Sequence, residues 1–138
     1  MKGEIGKAKA KAWRAFSRYI RLRDAVLTTG TTEYSKCVTC GNTFSIERMH
    51  AGHFLPGRTN SILFDERGVH AQCIGCNIYA DGRQAEYYLY MLDRYGREVV
   101  DDLAHIKVQP CKRSAEMLSG MAKEYQRRAD AILAGGEG

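Results

Sequence analysis

Two short stretches decide the fold of this chain: Cys37-Val-Thr-Cys40-Gly and Cys73-Ile-Gly-Cys76-Asn, with 32 residues between Cys40 and Cys73. Two separated Cys-x-x-Cys pairs are typical of four thiolates that hold one tetrahedral Zn²⁺ ion. A pair of redox dithiols is the alternative interpretation, and it predicts reversible disulfides instead. The fifth cysteine, Cys111, has no partner in this pattern and is predicted to be a small packing residue. The spacing therefore predicts a zinc site that ties two distant parts of the chain together.

The residues between and directly after the two pairs suit phosphodiester hydrolysis. They include three of the four histidines, His50, His53 and His70, and Asn77 directly follows Cys76. Zinc at the second pair would fix Asn77 and hold the segment with His70 nearby. Hydrolysis needs a general base for water and a divalent cation beside the phosphate, and an imidazole and an amide oxygen can serve these two needs. A structural role or an extra zinc ligand is the alternative for any single histidine.

The region before the cysteines predicts a basic helix from Lys7 to about Leu27, followed by a short linker at residues 28–32. Residues 1–27 carry a net charge of +6, so the positive charge of the chain is concentrated here. A solvated surface is the alternative for such a face, but five unmixed cations favour contact with a phosphate backbone. The basic stripe consists of Lys7, Lys11, Arg14, Arg18 and Arg21, and the opposite apolar stripe of Trp13, Phe16, Ile20 and Leu27.

The remaining sequence predicts an α+β fold. Three β-prone pieces, at about 44–46, 49–54 and 68–72, indicate an irregular, metal-held hairpin. Apolar residues at helical spacing predict three helices after it: one before Gly96, one over 99–106, and one over 115–129 that ends at Gly135-Gly136. The first should pack through Ala85, Tyr88, Leu89 and Leu92, and we expect Tyr87, Tyr88 and Tyr90 to be packing residues rather than base-stacking ones.

The length and the charge of the chain limit the number of its domains and the class of its partners. A chain of 138 residues is expected to form one domain. Its formal net charge of +5 suggests an anionic partner. No apolar run approaches the ~18 residues of a membrane helix, and the N-terminus alternates lysine with alanine where a secretion signal would be apolar. We therefore expect no membrane association and a cytoplasmic location.

Taken together, the motifs resemble the NinG (Rap) recombination nucleases of bacteriophages. The resemblance runs from about Trp13 to Gln126. More distantly, the order of the motifs is similar to that in Holliday-junction resolvases of the endonuclease seven type and in HNH nucleases. The motifs are Cys-x-x-Cys-Gly at 37–41, Ala-Gly-His-Phe at 51–54, Phe-Asp-Glu-Arg-Gly-Val-His-Ala-Gln-Cys-Ile-Gly-Cys-Asn at 64–77 and Asp-Arg-Tyr-Gly-Arg-Glu-Val-Val-Asp at 93–101.

This resemblance implies a ββα-metal site beside a structural zinc. By matching position, His53 would be the general base and Asn77 a ligand of a catalytic Mg²⁺ or Mn²⁺. HNH nucleases usually place another metal ligand immediately before the base, where this chain has Gly52. His50 is the candidate replacement and His70 a second one. The zinc ligands would be Cys37, Cys40, Cys73 and Cys76.

A second departure concerns the middle asparagine of the HNH pattern. It falls at Gly68 in this chain. Its loop-orienting role is therefore expected to be either dispensable or transferred to Asn60.

The resulting prediction is one nuclease domain over residues 1–138, with a basic helix and linker at 1–32, a zinc-stapled ββα-metal core at 33–95 and C-terminal helices at 96–138. The resemblance implies cleavage of branched DNA, such as Holliday junctions and D-loops, during phage recombination, with other phage recombination proteins as possible partners. Paired cuts need two active sites, which predicts a homodimer. The alternative is a non-catalytic zinc-stabilised module that binds DNA, but it leaves the Ala-Gly-His-Phe and Cys-Asn elements unexplained.

Overall fold

A computed structural model describes residues 2–135, and they form the α+β fold predicted from the sequence. A five-residue π-helical turn, Gly75–Tyr79, directly follows the last strand. None of the helices within the described residues has the length and apolar character needed to cross a membrane. In chain order, the elements are α1 (Lys2–Thr29), β1 (Tyr34–Lys36), β2 (Thr43–Ser45), β3 (Met49–His53), α2 (Asn60–Leu63), β4 (Val69–Cys73), α3 (Gln84–Tyr95), α4 (Arg97–Lys107) and α5 (Ala115–Leu133).

The basic helix α1 is longer than predicted at both ends. Thr28 and Thr29, assigned to the linker from the sequence, belong to the helix, and their hydroxyls donate to the carbonyls of Asp24 and Ala25, four residues back. The helix ends at Gly30, whose φ of 75° lies in the left-handed region that glycine tolerates. At the other end of the chain, α5 ends at Leu133, and Gly136 lies outside the described residues.

Two antiparallel strand pairs make up the β part of the fold. β1 pairs with β2, and β3 pairs with β4 so that Met49 lies opposite Cys73 and His53 opposite Val69. The three β-prone pieces predicted from the sequence correspond to β2, β3 and β4 within one residue at either end. The short strand β1 was not predicted. The β3–β4 pair followed by the π-helical turn is the part of the fold that carries the candidate site.

The two edges of the β3–β4 pair differ in what covers them. On β4, the Ala71 N–H donates to the Asp24 carboxylate at 2.7 Å, and the Val38 N–H donates to the Ala71 carbonyl at 2.9 Å. The Arg23 guanidinium donates to the Val69 carbonyl at 2.8 Å. The strand β3 pairs only with β4 among the described residues. The backbone of β4 is thus fixed on both sides, and β3 borders an open groove against α1.

The main core lies between α1 and α5. Phe16 and Ile20 of α1 are fully buried, and the Phe16 ring meets Tyr125 of α5 edge-on at 4.9 Å between centroids. The stripe predicted on α5, Ala115, Leu118, Ala122, Tyr125 and Ala129, is confirmed except at Ala115, because the last four are buried and Ala115 is only half-buried. The predicted apolar stripe of α1 is wrong at its last member, since Leu27 is 63% exposed.

Helix α3 packs through a different face from the one predicted. Its buried residues are Tyr87 and Met91, whereas Ala85, Tyr88 and Leu89 are exposed. Both faces have apolar residues at i, i+4 spacing, so the sequence period alone could not separate them. The Tyr87 hydroxyl decides the rotation of the helix, because it donates to the carbonyl of Gly52 at 2.7 Å inside the core.

Candidate metal centre and active site

The four cysteines of the two Cys-x-x-Cys pairs lie together. All four sulfur atoms are within 4.8 Å of one another, and the Cys40 and Cys73 sulfurs are 4.0 Å apart. In a tetrahedral site with Zn–S bonds of about 2.3 Å, the sulfurs would be about 3.8 Å apart. Cys37 follows β1, Cys73 ends β4 and Cys76 lies in the π-helical turn. The donor set and spacing fit a structural zinc ion, as the sequence predicts.

The surroundings of these sulfurs favour a bound cation. Backbone N–H groups point at them, from Cys73 to the Cys37 sulfur at 3.3 Å and from Cys76 to the Cys73 sulfur at 3.4 Å. Burial opposes ionisation of Cys37, but the backbone N–H groups of Cys40 and Cys73 and the Thr39 hydroxyl outweigh it and lower its pKa to about 6. Burial and the neighbouring thiols raise the pKa of Cys73 to about 12. The pKa of Cys40 is also raised, first by burial, so a positive charge among the sulfurs is needed to favour ionisation of Cys40 and Cys73, and zinc would supply it.

His50 and Asn77 form a side-chain pair beside the cysteine cluster. Asn77 follows the zinc-site residue Cys76 in the π-helical turn, and His50 lies on β3 opposite Gln72. The Asn77 amide and the His50 Nδ1 are 3.0 Å apart. Rotating the amide by half a turn would place its oxygen there instead. The sequence predicted that these two residues would meet, and the structure brings them together. Their distance and chemistry are compatible with two ligands of one cation.

His53 lies three residues further along β3 and has a different environment. Its Nε2 is 3.1 Å from the Leu63 carbonyl. A carbonyl only accepts hydrogen bonds, so Nε2 carries the proton and Nδ1 is the basic nitrogen of the neutral ring. Trp13 stacks on the imidazole with centroids 5.2 Å apart. Burial, and to a smaller degree the charge of Arg58, lower the pKa of His53, which keeps the ring in its basic form at neutral pH.

A groove runs between α1 and the free edge of β3, and we call it the α1–β3 groove. Its larger part is a cavity of about 410 Å³ lined by His50, Asn77, Glu47, Arg21 and Trp13, among others. A neighbouring cavity of about 380 Å³ shares Trp13 and Arg58 with it and continues past Lys9 and Arg14. Trp13 joins His53 to this groove because it stacks on that ring and lines both cavities.

Trp13, Arg58 and Glu47 are candidate functional residues that sequence reasoning missed. Trp13 belonged to the predicted apolar stripe, and nothing in its spacing distinguishes a core residue from a cover for His53. The Arg58 guanidinium lies 4.5 Å from the centroid of the Trp13 ring, and Arg58 has a positive φ of 49°. Glu47 follows β2 in a 3₁₀ turn and places a carboxylate on the groove wall. No motif in the sequence marks Arg58 or Glu47 as a functional residue.

The two departures from the HNH pattern have structural counterparts. A side chain at position 52 would overlap that of Gln72, which lies across the strand pair, so only glycine fits before His53. Asn60 connects the β3–β4 loop to the rest of the fold: its Oδ1 accepts from Lys9 at 2.6 Å and its Nδ2 donates to the Cys111 carbonyl at 3.4 Å. Asn60 thus ties the β3–β4 loop to α1 and to the segment before α5.

His70, the second candidate for a cation ligand, does not join this pair. Tyr87 donates its own proton to Gly52, so it accepts from the His70 Nδ1–H at 3.1 Å. His70 Nε2 then accepts from the Tyr95 hydroxyl at 2.7 Å. Both ring nitrogens are engaged, and burial lowers the pKa of His70 to about 4. The expectation of a metal ligand is therefore corrected to a structural, neutral histidine.

The predicted basic stripe of α1 is mostly exposed. Lys7, Lys11 and Arg14 face solvent. Arg18 is also exposed and lies 3.5 Å from Asp130 in a surface ion pair. Arg21 is partly buried, donates to the Ser17 carbonyl and lines the groove. Four of the five cations are thus accessible to a phosphate backbone, and the fifth points to the candidate site.

Comparison with known proteins identifies relatives of this chain. The family model described as Bacteriophage Lambda NinG protein matches residues 4–133. Protein ninG of Escherichia phage 933W is 32% identical over 94 residues, and that of Escherichia phage lambda is 31% identical over 94 residues; each match covers 67% of this chain and 42% of the relative. Protein ninG of Salmonella phage P22 is 31% identical over 119 residues, 86% of this chain and 54% of the relative.

The chain thus spans about half the length of the curated relatives it matches. No solved structure matches it. The family model covers nearly the whole chain, including both cysteine pairs and the histidines between them. The chain therefore belongs to the NinG family of bacteriophage proteins.

Proposed function

We propose that this chain is a metal-dependent endonuclease that hydrolyses phosphodiester bonds in branched DNA during phage recombination. Two observations carry the proposal: the Leu63 carbonyl holds His53 at Nε2, and His50 meets Asn77 in a groove lined by Trp13, the residue that stacks on the His53 ring. Cations of α1 border the same groove. A general base, a pair of cation ligands and a track for phosphates are the parts that hydrolysis of DNA needs.

His53 is proposed to act as the general base. Its Nδ1 would accept a proton from a water molecule, and the resulting hydroxide would attack the phosphorus in line with the departing 3′ oxygen. Products would carry a 5′-phosphate and a 3′-hydroxyl. The Leu63 carbonyl holds the ring in the required tautomer, and it would stabilise the imidazolium once Nδ1 is protonated.

His50 and Asn77 are proposed to hold the catalytic Mg²⁺ or Mn²⁺, with the Glu47 carboxylate on the same groove wall as a further candidate ligand. An amide oxygen, an imidazole and a carboxylate form a donor set that Mn²⁺ and Mg²⁺ accept. When bound, such a cation supplies neutralisation of the negative charge that develops on the phosphate and the leaving oxygen. The zinc site would have a separate, structural role, because all four of its ligand positions are filled by sulfur.

The basic stripe of α1 is proposed to bind the phosphate backbone. If Lys11 and Arg14 each neutralise one phosphate, changing both to glutamine should flatten the slope of log affinity against log salt by about 2 for duplex arms. The measurement is a fluorescence-anisotropy titration at several salt concentrations without added Mg²⁺ or Mn²⁺. The matched control changes Lys112 and Lys123, two exposed lysines outside α1, to glutamine. An equal slope in the α1 variant and the wild type would contradict the proposal.

A comparison of substrates tests the reaction and the DNA structure together. Zinc-loaded protein should cut a four-way junction or a flap faster than single strand or plain duplex, and only with added Mg²⁺ or Mn²⁺. A non-catalytic zinc module would bind the same DNA and cut none of it, with or without cation. Paired cuts across a junction need two active sites, so the proposal includes a homodimer, and light scattering of the junction complex reports it. The proposed function would be contradicted if the protein bound every substrate but cut none of them in the presence of Mg²⁺ or Mn²⁺.

A further inference from the structure

A second cavity lies away from the α1–β3 groove, on the other side of the β3–β4 pair. It has a volume of about 520 Å³ and opens between the end of α1, the first Cys-x-x-Cys pair and α3. Neither the candidate active site nor the basic stripe accounts for it. Its walls include Leu27, Val38, Tyr90 and the stacked pair of Arg94 and Tyr95, in which the guanidinium lies 5.2 Å from the ring centroid. Flat aromatic and guanidinium surfaces of this kind stack on nucleobases.

The charge of this cavity favours an anion. Lys36 and Arg94 lie on its wall, both exposed, and neither forms an ion pair among the described residues. The one carboxylate on the wall, Asp24, is already neutralised: one oxygen accepts from Arg23 at 2.8 Å and the other from the Ala71 N–H at 2.7 Å. Two cations without a carboxylate partner among the described residues therefore border an apolar and aromatic cavity. This combination matches a nucleotide, which has a flat base and an anionic phosphate.

The floor of the cavity is held in a fixed shape. His70 reaches from β4 to Tyr95 through Nε2 and to Tyr87 through Nδ1, and Tyr87 continues to the carbonyl of Gly52. This chain of hydrogen bonds runs from the cavity wall to the residue directly before His53. A ligand would thus enter a preformed site and avoid the cost of ordering its walls.

We propose that this cavity binds one unpaired nucleotide of a DNA substrate, with the base against Tyr90 and the Arg94–Tyr95 pair and the phosphate near Lys36. Its volume suits one nucleotide and lies within the usual range of small-ligand sites. Bases of an intact duplex are stacked and paired and cannot enter the cavity, whereas a base at a flap or an open branch point can leave the stack at a small cost in free energy. The cavity would thus give the chain a preference for branched over continuous DNA. This inference rests on the proposed function for its substrate, DNA.

The test places the fluorescent base 2-aminopurine at the first unpaired position of a flap and adds the zinc-loaded 138-residue chain without Mg²⁺ or Mn²⁺, so that the DNA stays intact. Binding should quench the emission through stacking, and the same label within the paired arm should respond little. Tyr90→Leu keeps apolar bulk but removes one of the stacking surfaces, so it should weaken the quenching and reduce the preference for flap over duplex about tenfold. Tyr79→Leu, at a tyrosine that is 84% exposed and outside the cavity, should behave as the wild type.

The double variant Lys36→Gln, Arg94→Gln gives a second readout that leaves Tyr90 intact. It should lower flap affinity more than duplex affinity, whereas Lys112→Gln should not. The inference is overturned if the wild type shows no quenching, or if Tyr90→Leu is quenched as fully as the wild type. Quenching with no cleavage of any substrate under added Mg²⁺ would support the cavity and refute the nuclease. Cleavage without quenching would refute the cavity alone.

Discussion

Replacement of His53 by alanine should slow the cleavage of a four-way junction by about 10²–10⁴-fold, the usual contribution of a positioned general base. DNA affinity should be nearly unchanged, because the ring is partly buried under Trp13 and contributes no charge at neutral pH. The measurement is single-turnover cleavage with protein in excess, combined with anisotropy binding without added Mg²⁺ or Mn²⁺. The wild-type rate should also rise with pH through a midpoint below 6.5 and be constant above it, since burial lowers the pKa of His53 and only the neutral ring can accept a proton.

The matched control for this variant is His105→Ala, which removes an exposed histidine from α4. It should cleave at the wild-type rate and bind DNA equally well. Cleavage by His53→Ala at the wild-type rate would show that another group takes the proton. In that case His50 would become the first candidate, because it is the other histidine of β3.

Loss of the zinc site should unfold the chain. The apparent free energy of zinc binding in small zinc domains is about 10–16 kcal/mol, which equals or exceeds the total stability of a typical domain. Cys73 and Cys76 are buried, and the cluster they form with Met49, Ala71 and Cys37 is one of the three cores of the described residues. Cys73→Ser, or removal of zinc by a chelator, should therefore abolish the cooperative thermal transition seen by circular dichroism.

Cys111→Ser is the control for the zinc prediction. Cys111 lies outside the four-sulfur cluster, so this variant should bind one zinc ion per chain and melt close to the wild type. Metal content by mass spectrometry should fall from one zinc to none in Cys73→Ser. A chelated, zinc-free protein that melts cooperatively at the wild-type temperature would show that the sulfurs do not organise the fold.

Part of the candidate site could be predicted because it depends on spacing. Two Cys-x-x-Cys pairs around one ion predict that Asn77 is held beside the zinc site, whereas His50 was named as a cation ligand only through the resemblance to HNH nucleases. The clustering of the four sulfurs confirms that the two pairs meet. The α5 core stripe was predictable for a similar reason, since its apolar residues follow a single helical face.

The other features of the fold and the site depend on contacts between residues that are far apart in the sequence, and local sequence patterns do not predict such contacts. The face of α3 is chosen by the hydrogen bond from Tyr87 to Gly52, across 35 positions of sequence. The role of Trp13 depends on where α1 crosses β3, and the engagement of His70 depends on two tyrosines from α3. Histidines that look alike in the sequence thus differ in function because of the groups around them.

The central claim is that the zinc site brings His50 and Asn77 together to bind a second cation, and electron paramagnetic resonance of Mn²⁺ with zinc-loaded protein tests it most directly. The wild type should bind one Mn²⁺ per chain, with magnetic coupling to a histidine nitrogen. His50→Ala and Asn77→Ala should each lose that Mn²⁺ while retaining zinc, and His105→Ala should retain both metals. A wild type that binds no Mn²⁺, or variants that bind it as the wild type does, would contradict the account.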